Sequence, residues 1–205
     1  PIDRSGFALG TVAPQEGMTG LMPEQRPRAL LTMSDMGMNH DMSGMDHSAM
    51  SADEMAEMTT QMRSGWSKAG SPRGDRVLSY SDLKSLAVQR DTRPAEREIQ
   101  VVLGGNMERY IWSMNGVTDM NAKPIALRYG ERVKLTFVND TMMAHPMHLH
   151  GMFVQLENGQ PANKVPDKTV VIVPPGKSYS VLLTADEPGE WAFHCHLLFH
   201  MASGM

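Results

Sequence analysis

Beyond about residue 96 the chain breaks into short apolar or alternating runs separated by turn residues. The runs are Ile99 to Leu103, Arg109 to Trp112, Arg132 to Val138, Phe153 to Leu156, Thr169 to Val173, Ser178 to Leu183 and Trp191 to Phe193. Successive side chains of a strand point to opposite faces, so a period of two puts one face in a core and the other toward solvent. Seven such strands in about a hundred residues predict an all-β sandwich. Asn158-Gly159, Pro174-Pro175-Gly176 and Glu187-Pro188-Gly189 supply the turns, and Tyr129-Gly130-Glu131 opens the Arg132 strand. No helical spacing of comparable length competes, and no internal repeat stands out.

Upstream the pattern differs. Residues 1–20 carry one apolar stretch, Phe7 to Val12, broken by Gly6, Gly10, Pro14 and Gly17; it has the length of one strand and too little apolar area for a core of its own. Residues 21–95 are an insertion and linker. Between Met33 and Met62 nine methionines and two histidines stand among Ser, Asp, Gly and Ala, without aromatic residues or a β-branched run. That composition cannot bury enough apolar surface to order itself, so a largely disordered Met-rich segment is expected. Residues 63–95 are polar, with one helical patch, Ser81 to Val88, where Leu83, Leu86 and Ala87 recur after a capping Ser81; the stretch reads as a linker that docks. The predicted units are therefore 1–20, 21–95 and 96–205.

A net charge of −4, with acids and bases interspersed, leaves no basic stripe for a nucleic-acid backbone. No run of eighteen apolar residues spans a membrane. The lone cysteine, Cys195, cannot form an internal disulfide, so its neighbours must explain it. The chain begins at Pro1 with no targeting pattern, and it is read as part of a longer protein. Twenty methionines and a crowd of six histidines between His145 and His200 are the anomalies, and both residue types bind copper.

Two segments hold that crowd: His145-Pro146-Met147-His148-Leu149-His150-Gly151, and His194-Cys195-His196 followed by His200 and Met205. In a strand His194 and His196 face one side and Cys195 the other, so one tripeptide can touch two metal centres. His148 and His150 likewise share a face, while His145, held extended before a proline, can face away from them. On the Cys195 side, His145, His200 and Met205 complete a set of two imidazoles, a thiolate and a thioether, which is the donor set of a blue copper site. On the other side, His148, His150, His194 and His196 form a four-imidazole group suited to an oxygen-binding copper cluster, and the Cys195 backbone joins the two.

At these residues the chain resembles the multicopper oxidases (laccases, ascorbate oxidase, ceruloplasmin and bacterial relatives), whose last cupredoxin domain carries HPxHLHG and HCHxxxHxxxxM motifs matched here at every ligand position. The resemblance implies a cupredoxin-like Greek-key β-sandwich. It also implies that His145, Cys195, His200 and Met205 are type 1 copper ligands, His148 a type 2 ligand, and His150, His194 and His196 type 3 ligands, with electrons passing from Cys195 to His194 and His196 and on to O2. The family's trinuclear cluster takes eight histidines, and four of them come from HxH motifs in its first domain that have no counterpart here; the partners implied are therefore copper ions, O2 and further N-terminal cupredoxin domains. Pro1-Ile2-Asp3-Arg4-Ser5-Gly6-Phe7, the Met-rich insertion, Gly105 to Tyr110 and Val138 to His145 are similar to the bacterial copper-resistance (CopA-type) branch, which implies a periplasmic, copper-oxidising role.

Other readings stand beside these. Met33, Met36, Met38, Met42, Met45 and Met50, with His40 and His47, form either accessory Cu(I) sites, since thioethers are soft ligands, or a neutral linker or adaptable apolar surface. The weaker alternatives for Cys195 are an inert buried thiol or, with its histidines, a zinc ligand, but zinc needs no methionine ten residues on. Trp66, Trp112 and Trp191 read as core or docking residues, and Met142, Met143, Met147, Met152 and Met201, close to the ligand motifs, as packing first, with guidance of Cu(I) to the entry site the alternative for one or two of them. Copper storage without catalysis and a lone electron carrier are the alternative functions; neither requires four cluster imidazoles.

Overall fold

The computed structural model describes residues 9–22, 24, 78–106 and 108–205. The Met-rich segment, with Met33, Met36, Met38, His40, Met42, Met45, His47 and Met50, and Trp66 lie outside the described residues. Residues 9–22 are exposed and form no strand, so the part of the Phe7 to Val12 expectation that falls on them is not met.

Among the described residues nine strands follow: β1 Arg97–Asn106, β2 Ile111–Met114, β3 Arg132–Asn139, β4 His145–Leu149, β5 Val154–Leu156, β6 Asp167–Lys168, β7 Val170–Val173, β8 Ser178–Thr184 and β9 Phe193–Cys195, then a short helix, α1, Leu198–Ala202. One sheet runs β2-β1-β3-β8-β5-β6 and the other β7-β4-β9. β1 is parallel to β3, and the remaining pairings are antiparallel. The period-two pattern explains the layers. Val133, Leu135 and Phe137 of β3 and Tyr179, Val181 and Leu183 of β8 are buried, alternating with less buried neighbours, and the same cluster takes in Met147, Val171, Val173 and Cys195 from the second sheet. This is the all-β, cupredoxin-like sandwich expected.

Several boundaries differ for local reasons. β2 starts at Ile111 rather than Arg109 because Tyr110 sits at φ 53 in a turn. β9 is Phe193–Cys195 rather than Trp191 to Phe193: Trp191 is anchored by its own turn, its Nε1 donating to the Glu187 carbonyl at 3.1 Å. The helix expected over Ser81 to Val88 is absent. A 3-10 turn, Tyr80–Asp82, stands instead, with Ser79 rather than Ser81 as its cap. The backbone beyond it spends its donors on a neighbouring loop, Ser85 N–H on the Lys164 carbonyl and Gln89 N–H on that of Asn163, and Leu86 is fully exposed, so a helix there would have no apolar face to bury.

The stretch 79–96 does dock. Asn158 donates to the carbonyls of Tyr80 and Leu83, and Tyr80 lies edge-on to Tyr179 at 5.4 Å. Arg132, 1% exposed, donates to the Arg93 carbonyl, Thr184 Oγ1 and Gln155 Oε1. A buried guanidinium is tolerated only when its donors are met, and these bonds tie the strap to β8 and β5.

Candidate copper centre

The two histidine motifs lie side by side. β4 pairs antiparallel with β9, Met147 opposite Cys195 and His148 opposite His194. β4 is central in its sheet despite Pro146, which lacks an N–H donor; the Pro146 carbonyl accepts from His196 N at 2.6 Å. Alternation then sorts the side chains. His145 and Cys195 face the core with no exposure, and α1 returns His200, 1% exposed, to the same place.

There Cys195 Sγ lies 3.7 Å from Nδ1 of both His145 and His200, and the two Nδ1 atoms are 3.1 Å apart. The ligand-capable atoms of this trio fall within 4.8 Å of one another. Met205 is 2% exposed; its N–H donates to the His200 carbonyl and its carbonyl accepts from Cys195 N, so the backbone seats it beside both. Burial pushes the Cys195 thiol up to about 11. Burial, then His200, pushes His145 down to about 3, and burial lowers His200. Without a cation, the pocket at neutral pH therefore holds a protonated thiol and two neutral imidazoles. Two neutral imidazoles and a thiol, closely spaced in a dry pocket, fit a soft redox cation that displaces the protons between them.

Trp112 closes this pocket. Its ring stacks on His200 at 4.2 Å and 29° and meets His145 edge-on at 5.1 Å. Gly105 makes room for it, since a Cβ there would lie 2.2 Å from the indole. Trp112 N–H donates to the Ser203 carbonyl, which holds the loop carrying Met205 against β2. The sequence reads Trp112 as a core or docking residue; its contact with both imidazoles carried no sequence signal, because the β1–β2 register brings it there.

On the opposite face His148 sits among the other three rings, 4.6 Å from His150, 5.4 Å from His194 and 5.3 Å from His196. His150 and His194 bring their Nε2 atoms to 3.0 Å. The nitrogens of His148, His150 and His194 form a second close group within 4.8 Å; His196 joins the ring cluster but not that tight trio. Nδ1–H of His148 donates to the Thr169 carbonyl and that of His194 to the Cys195 carbonyl, which leaves both Nε2 atoms bare, that of His194 accepting from Nε2–H of His150. Such a bond fixes the tautomer of a metal-ligating imidazole. Burial, then the charges of His148, His194 and His196, lower His150. His150 follows β4, and its N–H donates to the Ala192 carbonyl. Gly151 after it has φ 76, and a Cβ there would meet the Trp191 ring at 2.3 Å, so the turn that aims His150 requires glycine.

A β-sandwich that places a buried thiol and two imidazoles on one side of a strand and four imidazoles on the other has the makings of a cupredoxin-type copper protein. Residues 91–205 match the sequence model of the multicopper oxidases, and the chain belongs to that family, whose cofactor is copper. It is 39% identical over 264 residues to Copper resistance protein A of Escherichia coli, covering all of this chain and 44% of the relative. A homologue from Pseudomonas syringae pv. tomato is 40% identical over 254 residues, with 100% and 42% covered. The chain thus spans less than half the length of these curated relatives. Among solved structures, the McoA multicopper oxidase of Aquifex aeolicus matches with 25% identity and a TM-score of 0.48, over 67% of this chain and 32% of that one. No helix among the described residues is long and apolar enough to cross a membrane.

Proposed function

We propose that this chain is the C-terminal part of a periplasmic multicopper oxidase that oxidises Cu(I), or phenolic reductants, with four-electron reduction of O2 to water, and so contributes to copper resistance. Residues 1–20 end a preceding cupredoxin domain, 21–95 are the Met-rich insertion and linker, and 96–205 are the ligand-bearing domain. His145, Cys195, His200 and Met205 hold a type 1 copper, His148 a type 2 copper, and His150, His194 and His196 type 3 copper. Copper in these places supplies one-electron oxidation of the reductant and the reduction of oxygen.

The protein's own contribution is order. One observation carries the reading: Cys195 lies between two imidazoles of the second cluster in the sequence, and the β4–β9 pair sets His145 and Cys195 on one face, where α1 adds His200, and the second cluster on the other. The covalent path from the Cys195 sulfur to the His194 and His196 rings runs only through its own and adjacent residues. Burial of His145, Cys195 and His200 keeps water from the first site. The half-exposed to exposed cluster imidazoles leave room for ligands from another domain.

The test is oxygen uptake by the full-length protein with Cu(I) as reductant. Loss of uptake in Cys195→Ser, with cluster copper retained, supports the oxidase. Undiminished uptake in that variant sinks it, and tight Cu(I) binding without any uptake by the copper-loaded wild type favours storage.

A further inference from the structure

We propose that Thr141, clamped by Asn139, is a positioning residue that holds His145 in the Nε2–H tautomer, so that its Nδ1 lone pair faces Cys195. The proposal rests on the reading of His145 as a copper ligand, and it adds a residue outside the ligand motifs. Asn139, the last residue of β3, is 2% exposed. Its Nδ2 has two protons and lies within hydrogen-bond distance of three carbonyls, those of Met143, Val173 and Pro174, at 2.7, 3.0 and 3.0 Å, so one N–H is shared between two of them. A carbonyl only accepts, so these contacts fix which end of the amide is nitrogen. Oδ1 must then face the other way, where it accepts from Thr141 N at 3.0 Å and from Thr141 Oγ1 at 2.7 Å.

A hydroxyl has one proton and two lone pairs. The Thr141 proton goes to Asn139 Oδ1, with the Met143 carbonyl, another pure acceptor, 3.0 Å away. One lone pair receives Met143 N–H at 3.2 Å. The remaining lone pair points at His145 Nε2, 2.8 Å distant, so that nitrogen must be the donor. With its proton on Nε2, the imidazole presents a bare Nδ1 to Cys195 Sγ and to His200 Nδ1. The 3.1 Å contact between the two Nδ1 atoms requires one donor, and His200 supplies it in the metal-free chain. Thr141 therefore decides which imidazole of the pair is ready for a cation and which must move a proton first.

The test uses the metal-free chain with 15N-labelled histidine at neutral pH, where nitrogen shifts distinguish protonated from bare ring nitrogens. Wild type and Thr141→Ser are expected to carry the His145 proton on Nε2, whereas the near-isosteric Thr141→Val moves it in large part to Nδ1. The same three proteins are titrated with Cu(II) alone: Thr141→Val binds at the thiolate site roughly 10–100-fold more weakly, and Thr141→Ser recovers the loss. A His145 proton on Nδ1 in the wild type, or an unchanged tautomer in folded Thr141→Val, overturns the proposal. If Thr141→Val does not fold, Thr141→Ala supplies the variant without the hydroxyl, and a His145 proton on Nδ1 in the wild type still overturns the proposal. A wild-type chain with the expected tautomer that forms no thiolate–Cu(II) band overturns the copper reading instead, so the two failures are distinct.

Discussion

Trp112 offers a perturbation whose outcome depends on one atom. The indole is fully buried between Gly105 and the imidazoles of His145 and His200, yet its Nε1 has no hydrogen-bond partner among the described residues. Truncating a buried tryptophan to alanine costs about 3–5 kcal/mol, a large part of the roughly 5–15 kcal/mol a domain possesses. With a urea slope of about 2 kcal/mol per molar, Trp112→Ala should lower the unfolding midpoint by roughly 2 M. Trp112→Phe behaves differently. It keeps a ring over His200, and the lost volume is offset by removing an unpaired buried donor, which costs about 1–3 kcal/mol while present. Its midpoint should therefore lie within about 0.5 M of wild type, a change near 1 kcal/mol. The assay is urea unfolding followed by circular dichroism on the metal-free chain. A Trp112→Phe variant as unstable as Trp112→Ala refutes the reasoning, because it means that Nε1 makes a valuable bond.

Two further outcomes follow from local geometry. Gly204 has φ 115, and a Cβ there would lie 2.6 Å from the Trp112 carbonyl; the atom it meets is backbone and cannot rotate away, so Gly204→Ala should cost more than about 1 kcal/mol. It should also displace the Met205 loop, read as a weakened Cu(II)–thiolate band, and an unchanged band and midpoint would contradict the packing described. The Asp91 carboxyl is held well below its usual range, chiefly by its hydrogen bonds from Arg93, with Thr184 and Arg132 assisting. A depressed carboxylate contributes stability that is present above an ordinary aspartate value near 4 and drains away as pH falls below it. Unfolding midpoints between pH 5 and pH 2 should therefore fall more steeply in wild type than in Asp91→Asn; parallel slopes would show that the strap ion pair is not responsible.

The site was more legible than its frame. Six histidines, one cysteine and Met205 are set by chemistry at fixed offsets, and strand alternation sorts His145, His148, His150, His194, Cys195 and His196 onto two faces. The structure brings His145, Cys195 and His200 together on one face and the four other imidazoles on the other. Tertiary contacts could not be read the same way. Ser81 to Val88 carries helical spacing, yet its backbone bonds go to residues 163 and 164, far off in sequence. α1 was missed because five residues, Leu198–Ala202, are too short to show a period. β4 was not among the apolar runs because Pro146 and the histidines break the pattern, although the ligand argument already treated it as extended. Asn139 and Thr141 lay in a stretch noted only for its family likeness, and their role became visible once β3 was seen to end beside His145.

The most direct measurement is the visible spectrum of the chain during Cu(II) titration. The account predicts an intense thiolate-to-copper band toward the red end of the visible, saturating at one equivalent of site copper and absent in Cys195→Ser. Copper bound by the folded wild-type chain without that band, or a band that survives in Cys195→Ser, would contradict the assignment of His145, Cys195 and His200 as one copper site.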